Sequence, residues 1–183
     1  MFLIAIAFLF TAVVAVAAEV TVHIHNEAKV AGAALRDAID VAKRAFREAQ
    51  VPARWVTCTE GSCGDTGEFI YELVIAGTRT EAAAASTFAM GYSLIVASKA
   101  PVYAKVLLPR VMQYAEFADI RVSTALGYSI AHEVAHLLLR SNSHGNFGIM
   151  KARWSRSDAS LLDGGRLKFH SAEVRQMRQA LGF

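Results

Sequence analysis

An α/β domain is what the 183-residue chain predicts: a mixed five-stranded sheet, two main helices and a closing C-terminal helix. Three observations predict it. Five short segments alternate or run apolar as strands do, two longer ones repeat apolar residues at three- and four-residue spacing, and the last thirteen residues repeat them again. Composition agrees. A chain that is 54% hydrophobic and 19% charged, with 12 Gly and 3 Pro, is neither disordered nor collagen-like, and two Cys exclude a disulfide-dense scaffold. Its charge of +3 comes from 19 basic and 16 acidic residues scattered along the chain, a balance too small to imply a nucleic-acid partner.

Residues 1–18, MFLIAIAFLFTAVVAVAA, carry no charged side chain and read as a signal peptide. Val16 and Ala18 suit cleavage before Glu19, and Ala15 and Ala17 suit it one residue earlier. An uncleaved N-terminal anchor is the other reading, because about 18 apolar residues approach the length that spans a bilayer and the usual basic n-region is missing. Cleavage leaves residues 19–183 as one domain, secreted or periplasmic.

Val20 to His25 (VTVHIH) alternates at period two and is the first strand. Leu35, Ile39, Ala42 and Phe46 then recur at spacings of 4, 3 and 4, with Arg36, Asp37, Asp40, Lys43, Arg44 and Arg47 on the other side. This predicts a helix packed on a sheet, stopped at Val51-Pro52. Strands follow at Arg54 to Thr57, Phe69 to Ile75, Tyr92 to Ala97 and Tyr103 to Leu108, the last stopped by Pro109. Residues 78–89 read equally as an Ala-rich helix or a loop. Cys58 and Cys63, the only cysteines, read first as a local disulfide; two reduced core thiols, or a thiolate blocking a metal site, are the alternatives.

From Ser123 the pattern is helical again, with Ser123 or Thr124 able to cap it. Leu126, Ile130, Val134, Leu137 and Leu138 form a stripe from about −40° to +80° around Ile130, while His132 and His136 fall near about 200° and 240°. Both imidazoles therefore point away from the core, one turn apart, with Glu133 beside them. Two nitrogens at that spacing suit one tetrahedral zinc, and the sequence HEVAH is the pattern of a helix holding zinc with an acidic general base. A catalytic zinc takes a third protein ligand and keeps one position open for water. His144, eight residues past His136, is placed to return over the metal through the turn Ser141-Asn142-Ser143, where Asn142 tolerates a left-handed conformation. Glu173 and Asp163 are the longer-range alternatives.

The stretch HEVAHLLLRSNSHGNFGIM resembles the metzincin zinc endopeptidases, most of all the matrixin type. There the HExxH helix is followed by a Gly turn, a third His and a Met in a tight turn beneath the metal. His132, Glu133, His136, His144 and Met150 match those roles, and the element order resembles that catalytic domain over most of residues 19–152. The usual Gly falls at Leu139 and the usual third His at Asn142, so the turn is two residues longer. The resemblance implies a zincin-like fold and one catalytic zinc. It also places the strand at Tyr92 to Ala97 on the sheet edge over the site, and it leaves no matrixin structural zinc, calcium loop or inhibitory pro-segment visible.

Other residues carry less. His23 and His25 share a strand face and offer half of a second metal site, although a solvated face is the simpler reading. His170 is more simply a polar residue beside a Ser171 cap than an oxyanion stabiliser, and Arg153, Trp154 and Arg156 are read as surface and packing residues in preference to a border of the cleft. Val174, Met177 and Leu181 mark a closing helix with Met177 in its core. The sequence thus predicts a monomeric exported zinc metallopeptidase acting on peptides or proteins. Zinc would be held by His132, His136 and His144, and Glu133 would take a proton from zinc-activated water. A secreted zinc-binding module without turnover is the rival reading.

Overall fold

Five strands in the order β2-β1-β3-β5-β4 make one mixed sheet in the computed structural model, which describes residues 18–59, 63–64, 69–77, 89–95 and 103–183. The strands are β1 (Val20–His25), β2 (Ala53–Thr57), β3 (Phe69–Ala76), β4 (Gly91–Leu94) and β5 (Tyr103–Leu107). All neighbours run parallel except β4, which pairs antiparallel with β5 at the edge. Residues 1–17 of the predicted signal peptide, residues 78–88 of the helix-or-loop segment 78–89 and the far end of the fourth predicted strand lie outside the described residues. Among those residues no helix is long and apolar enough to cross a membrane.

The helices gather on one face. Helix α1 (Gly32–Glu48) buries the predicted stripe Leu35, Ile39, Ala42 and Phe46 together with Ala38 and Ala45. Phe46 meets Trp55 of β2 edge-on at 5.3 Å, so the side chains of Val22, Trp55 and Tyr71, which are in register, share the helix-covered face. Helix α3 (Val122–Leu139) lies beside α1, and the two approach closely at Gly127. A Cβ there would stand 2.3 Å from the Ala38 carbonyl oxygen and 2.6 Å from Val41 Cβ. Helix α5 (Ser171–Ala180) packs on α3 and buries Met177 completely, as its spacing predicted.

Four predicted features are corrected. Pro109 does not merely stop a strand: it sits in the first turn of a helix missed by the sequence reading, α2 (Leu108–Ala118), where its lacking N–H is not needed. Helix α3 starts at Val122 behind Arg121 with no side-chain cap, so neither Ser123 nor Thr124 caps it, and buried Thr124 Oγ1 has no hydrogen-bond partner among the described residues. The left-handed residue that ends α3 is Arg140 (φ 49°), not Asn142, because the buried apolar run stops at Leu139 and the chain must turn there. His170, not Ser171, caps α5: its Nδ1 accepts from Ala172 N–H, and Glu173 returns the bond to the His170 N–H. Between these helices a 3-10 turn (Arg156–Asp158) leads into the short α4 (Ala159–Asp163).

Cys58 and Cys63 are joined in a disulfide, the first of the three sequence readings.

Candidate metal centre

Helix α3 is not amphipathic in the ordinary sense, since every residue from Ser123 to Leu138 is buried. One side packs on α1 and the sheet. The other, carrying His132, Glu133 and His136, faces a cavity of about 590 Å³ whose walls come from β4, α2 and the segment after Met150. The histidines do turn from the apolar core, but into a covered cleft and not towards open solvent: His132 is 9% and His136 3% exposed.

Main-chain carbonyls orient both rings. His132 Nδ1–H donates to Ile149 O at 2.8 Å, and His136 Nδ1–H donates to Ser141 O at 2.6 Å. Each Nε2 is thereby left as a bare lone pair. The His136 Nε2 lies 3.0 Å from His132 Nε2 and 3.3 Å from His144 Nε2. Burial, above all, holds the His132 imidazole down to about 3, with the nearby His136 and His144 adding to it. Burial likewise brings His136 down to about 4 against the pull of Ser141 O, and it lowers His144. Neutral rings are the form that ligates a metal.

The Nε2 lone pairs of His132 and His136 face one another with no proton to share, so a cation is the species that would satisfy them. Zinc–nitrogen bonds of about 2.0–2.1 Å in a tetrahedron separate the nitrogens by about 3.3 Å. The observed spacings fit that ion. The chain reaches it at His144 because Arg140 reverses the helix and Gly145 N–H is tied to Met150 O at 2.8 Å, folding residues 145–150 into a tight turn with Met150 buried. Among the alternatives, Glu173 is engaged in capping α5 and Asp163 is exposed at the end of α4; neither joins the cluster.

Glu133 is 4% exposed, and its carboxyl is pushed up to about 8 by burial, with a hydrogen bond from Ser93 pulling the other way. The Ser93 hydroxyl lies 2.8 Å from Glu133 Oε2 and 2.9 Å from the Glu133 carbonyl oxygen. Two residues earlier, a Cβ on Gly91 would fall 2.6 Å from Glu133 Oε1, so glycine is what lets the edge strand lie against the carboxylate.

Sequence reasoning missed Ser93 and the α2 contribution to the cavity, which comes from Arg110, Gln113, Tyr114 and Phe117. The signal for α2 was present as Val111, Ala115 and Ala118 at spacings of 4 and 3 behind Pro109. Arg153 and Trp154 line the cleft, the reading set second to surface and packing; for Trp154 the packing reading also holds, since it is buried against Tyr114 and Tyr128. Buried Trp154 meets His132 edge-on at 6.0 Å, whereas Arg156 is tied to α2 through Phe117 O at 3.1 Å. His170 holds its helix cap and is not among the residues lining the cavity.

The predicted solvated face at His23 and His25 is also corrected. His23 is only 3% exposed, and both rings meet Glu72.

No family model and no curated protein sequence matches the chain. Two solved structures share its fold. Metalloproteinase-II from Bacteroides fragilis is 10% identical with a TM-score of 0.53, over 91% of this chain and 54% of that one, so the chain spans about half of that protein's length. Archaemetzincin from Methanopyrus kandleri is 13% identical with a TM-score of 0.51, over 90% of this chain and 97% of that one. At these identities the likeness is one of fold, an α/β zincin-like domain with a mixed five-stranded sheet and an antiparallel edge strand.

Proposed function

We propose that the chain is an exported zinc-dependent metalloendopeptidase of metzincin type, made with a signal peptide over residues 1–18 and acting as a monomer on peptide or protein substrates. The observation that carries this reading is the convergence of three Nε2 atoms beside the buried carboxyl of Glu133. His132, His136 and His144 would hold the ion, with Met150 in the turn beneath them. When bound, zinc supplies Lewis acidity to a peptide carbonyl and lowers the pKa of water towards neutrality. Glu133 accepts the proton of the attacking water and passes it to the leaving amine. Its burial serves that role, because a carboxylate lifted towards neutral pH is a stronger base, and a cation alongside keeps it ionised. The cleft supports an extended substrate: it opens along β4, whose outer edge is unpaired among the described residues.

The test is a metal assay of the purified mature chain joined to a peptide-library digest. Zinc at one equivalent with cleavage of internal bonds is the expected result, and Glu133→Gln should keep the zinc and lose the cleavage. Zinc with no cleavage in the parent chain would leave the binding module as the correct reading.

A further inference from the structure

A second constellation of ligand types lies on the sheet face turned away from α1. His23 and Glu72 are in register on β1 and β3, and His25 follows two residues along. Glu72 takes both rings, Oε1 from His23 Nδ1–H at 3.0 Å and Oε2 from His25 Nε2–H at 2.5 Å. Burial raises the Glu72 carboxyl, but the hydrogen bonds from His25 and His23 outweigh it and hold the group below the ordinary range, as an anion. With Nδ1 engaged, His23 presents Nε2 as a bare lone pair. That atom is buried and has no hydrogen-bond partner among the described residues.

Cys58 and Cys63 lie beside this corner. Cys58 N–H is bonded to Ile24 O at 3.0 Å, which fixes the start of the loop beside β1. One ligand atom from each of His23, Cys58 and Cys63 lies within 4.8 Å of the others. The same holds for His25, Cys63 and Glu72, with Cys63 Sγ 3.8 Å from His25 Nε2. Two sulfurs, a buried unpartnered imidazole nitrogen and a carboxylate that orients that imidazole are the parts of a zinc site with its outer support.

We propose that reduction of the Cys58–Cys63 disulfide turns this corner into a second zinc site, with His23 Nε2 and the two thiolates as ligands and the His25–Glu72 pair supplying the fourth. A two-electron reductant is required, a dithiol in a cell or a phosphine in the cuvette. The dithiol breaks the S–S bond, gives up two electrons and two protons, and leaves as its own disulfide. Zinc stays Zn²⁺ throughout: two S–Zn bonds form and the two thiol protons pass to solvent. A small-molecule disulfide reverses the step: it takes the two electrons and, with two protons from solvent, leaves as its dithiol, while the Cys58 and Cys63 sulfurs rejoin and the ion is released. His23 Nε2, buried beside the two sulfurs with no hydrogen-bond partner among the described residues, is the atom most at odds with the oxidised form and most at home in the reduced one.

Cobalt titration of the mature full-length chain tests this, before and after treatment with a phosphine. The His132 triad contains no sulfur, so only the proposed site can give a sulfur-to-cobalt charge-transfer band in the near ultraviolet. The reduced chain should bind one equivalent more than the oxidised chain and develop that band, and zinc should displace it. The double variant Cys58→Ser, Cys63→Ser should lose the band and keep the first equivalent. Because His23 is buried and its replacement can unfold the strand, Glu72→Gln is the companion variant, expected to weaken the second equivalent about tenfold or more. No band in the reduced parent, equal metal content in both redox states, or a band that survives in the double serine variant overturns the proposal. Loss of the first equivalent with the band retained would instead count against the peptidase reading alone.

Discussion

The hydroxyl of Ser93 and the carboxylate of Glu133 lie 2.8 Å apart although forty residues separate them, which couples the edge of the sheet to the middle of the buried helix. The contact sets the orientation of the acidic group from outside its own helix.

Ser93→Ala should therefore lower kcat while leaving zinc content unchanged. A hydrogen bond to a charged group is worth about 1.5–3 kcal/mol, so the loss should be about tenfold to a hundredfold. Ser93 lowers the Glu133 pKa, so its removal should also move the acid limb of the pH profile to higher pH. A merely structural role would leave that limb where it was. Gly91→Ala should disturb both this contact and the β4–β5 pairing, since its methyl group would meet Glu133 Oε1 and the Lys105 carbonyl oxygen alike, and should show as lost stability as well as lost turnover.

His144→Ala should weaken zinc binding by about a hundredfold or more, beyond what loss of an outer-sphere partner produces. Asn142→Ala and His170→Ala should leave it intact, the first because Asn142 is not in the histidine cluster and the second because its ring caps α5. Unchanged metal content in His144→Ala, read by mass spectrometry of the native protein, would remove the three-histidine assignment.

Stability of the metal-free protein should fall as pH drops below about 6.5. In the unfolded chain His132 and His136 gain protons near that value, whereas folded His132 gains one only near 3 and His136 near 4. Between these limits each histidine takes up its proton first in the unfolded state and removes up to about 1.4 kcal/mol of stability per pH unit. The two together outweigh Glu133, whose raised pKa acts in the opposite sense down to about pH 4.5. Thermal melts with and without chelator should show this slope in the chelated sample. Saturating zinc should flatten it until the ligands themselves protonate and release the metal.

A substrate strand added to β4 should depend on the outward main-chain groups of that edge. Leu107 N–H bonds to Met90 O at 2.7 Å, and antiparallel alternation then turns the N–H groups of Gly91, Ser93 and Ile95 away from β5. Ile95→Pro should remove one such donor, raising KM for extended peptides with zinc content unchanged. Leu94→Pro should instead damage the pairing with Tyr103 and show first as lost stability. Equal KM in parent and Ile95→Pro would exclude binding by strand addition.

The parts legible in the sequence are those governed by local periodicity. Leu35 to Phe46 names the buried side of α1, and His132 to His136 places two nitrogens on one face whatever surrounds them. Helix α2 escaped because Leu107, the last residue of β5, is followed at once by Leu108, so an apolar run crosses from strand to helix without a break in composition. Ser93 escaped because its meaning lies in a contact across the sheet edge. His23 and His25 were visible as a pair, but strand alternation says which residues share a face and not what covers it. Arg140 took the left-handed position that the sequence favours for Asn142, because the end of burial, and not local propensity, decided where α3 stopped.

His132 and His136 owe their ring orientations to the main-chain oxygens of Ile149 and Ser141. An alanine scan would therefore pass over this support. Ser141→Ala keeps its carbonyl, and Ile149→Ala would register as a packing defect while the imidazole stays aligned. The vulnerable changes are those of chain length: one residue inserted or deleted between 137 and 149 would move the acceptors themselves. Apart from His144 and the left-handed Gly148, the turn can drift in side-chain identity while remaining intolerant of any change in its count of peptide units.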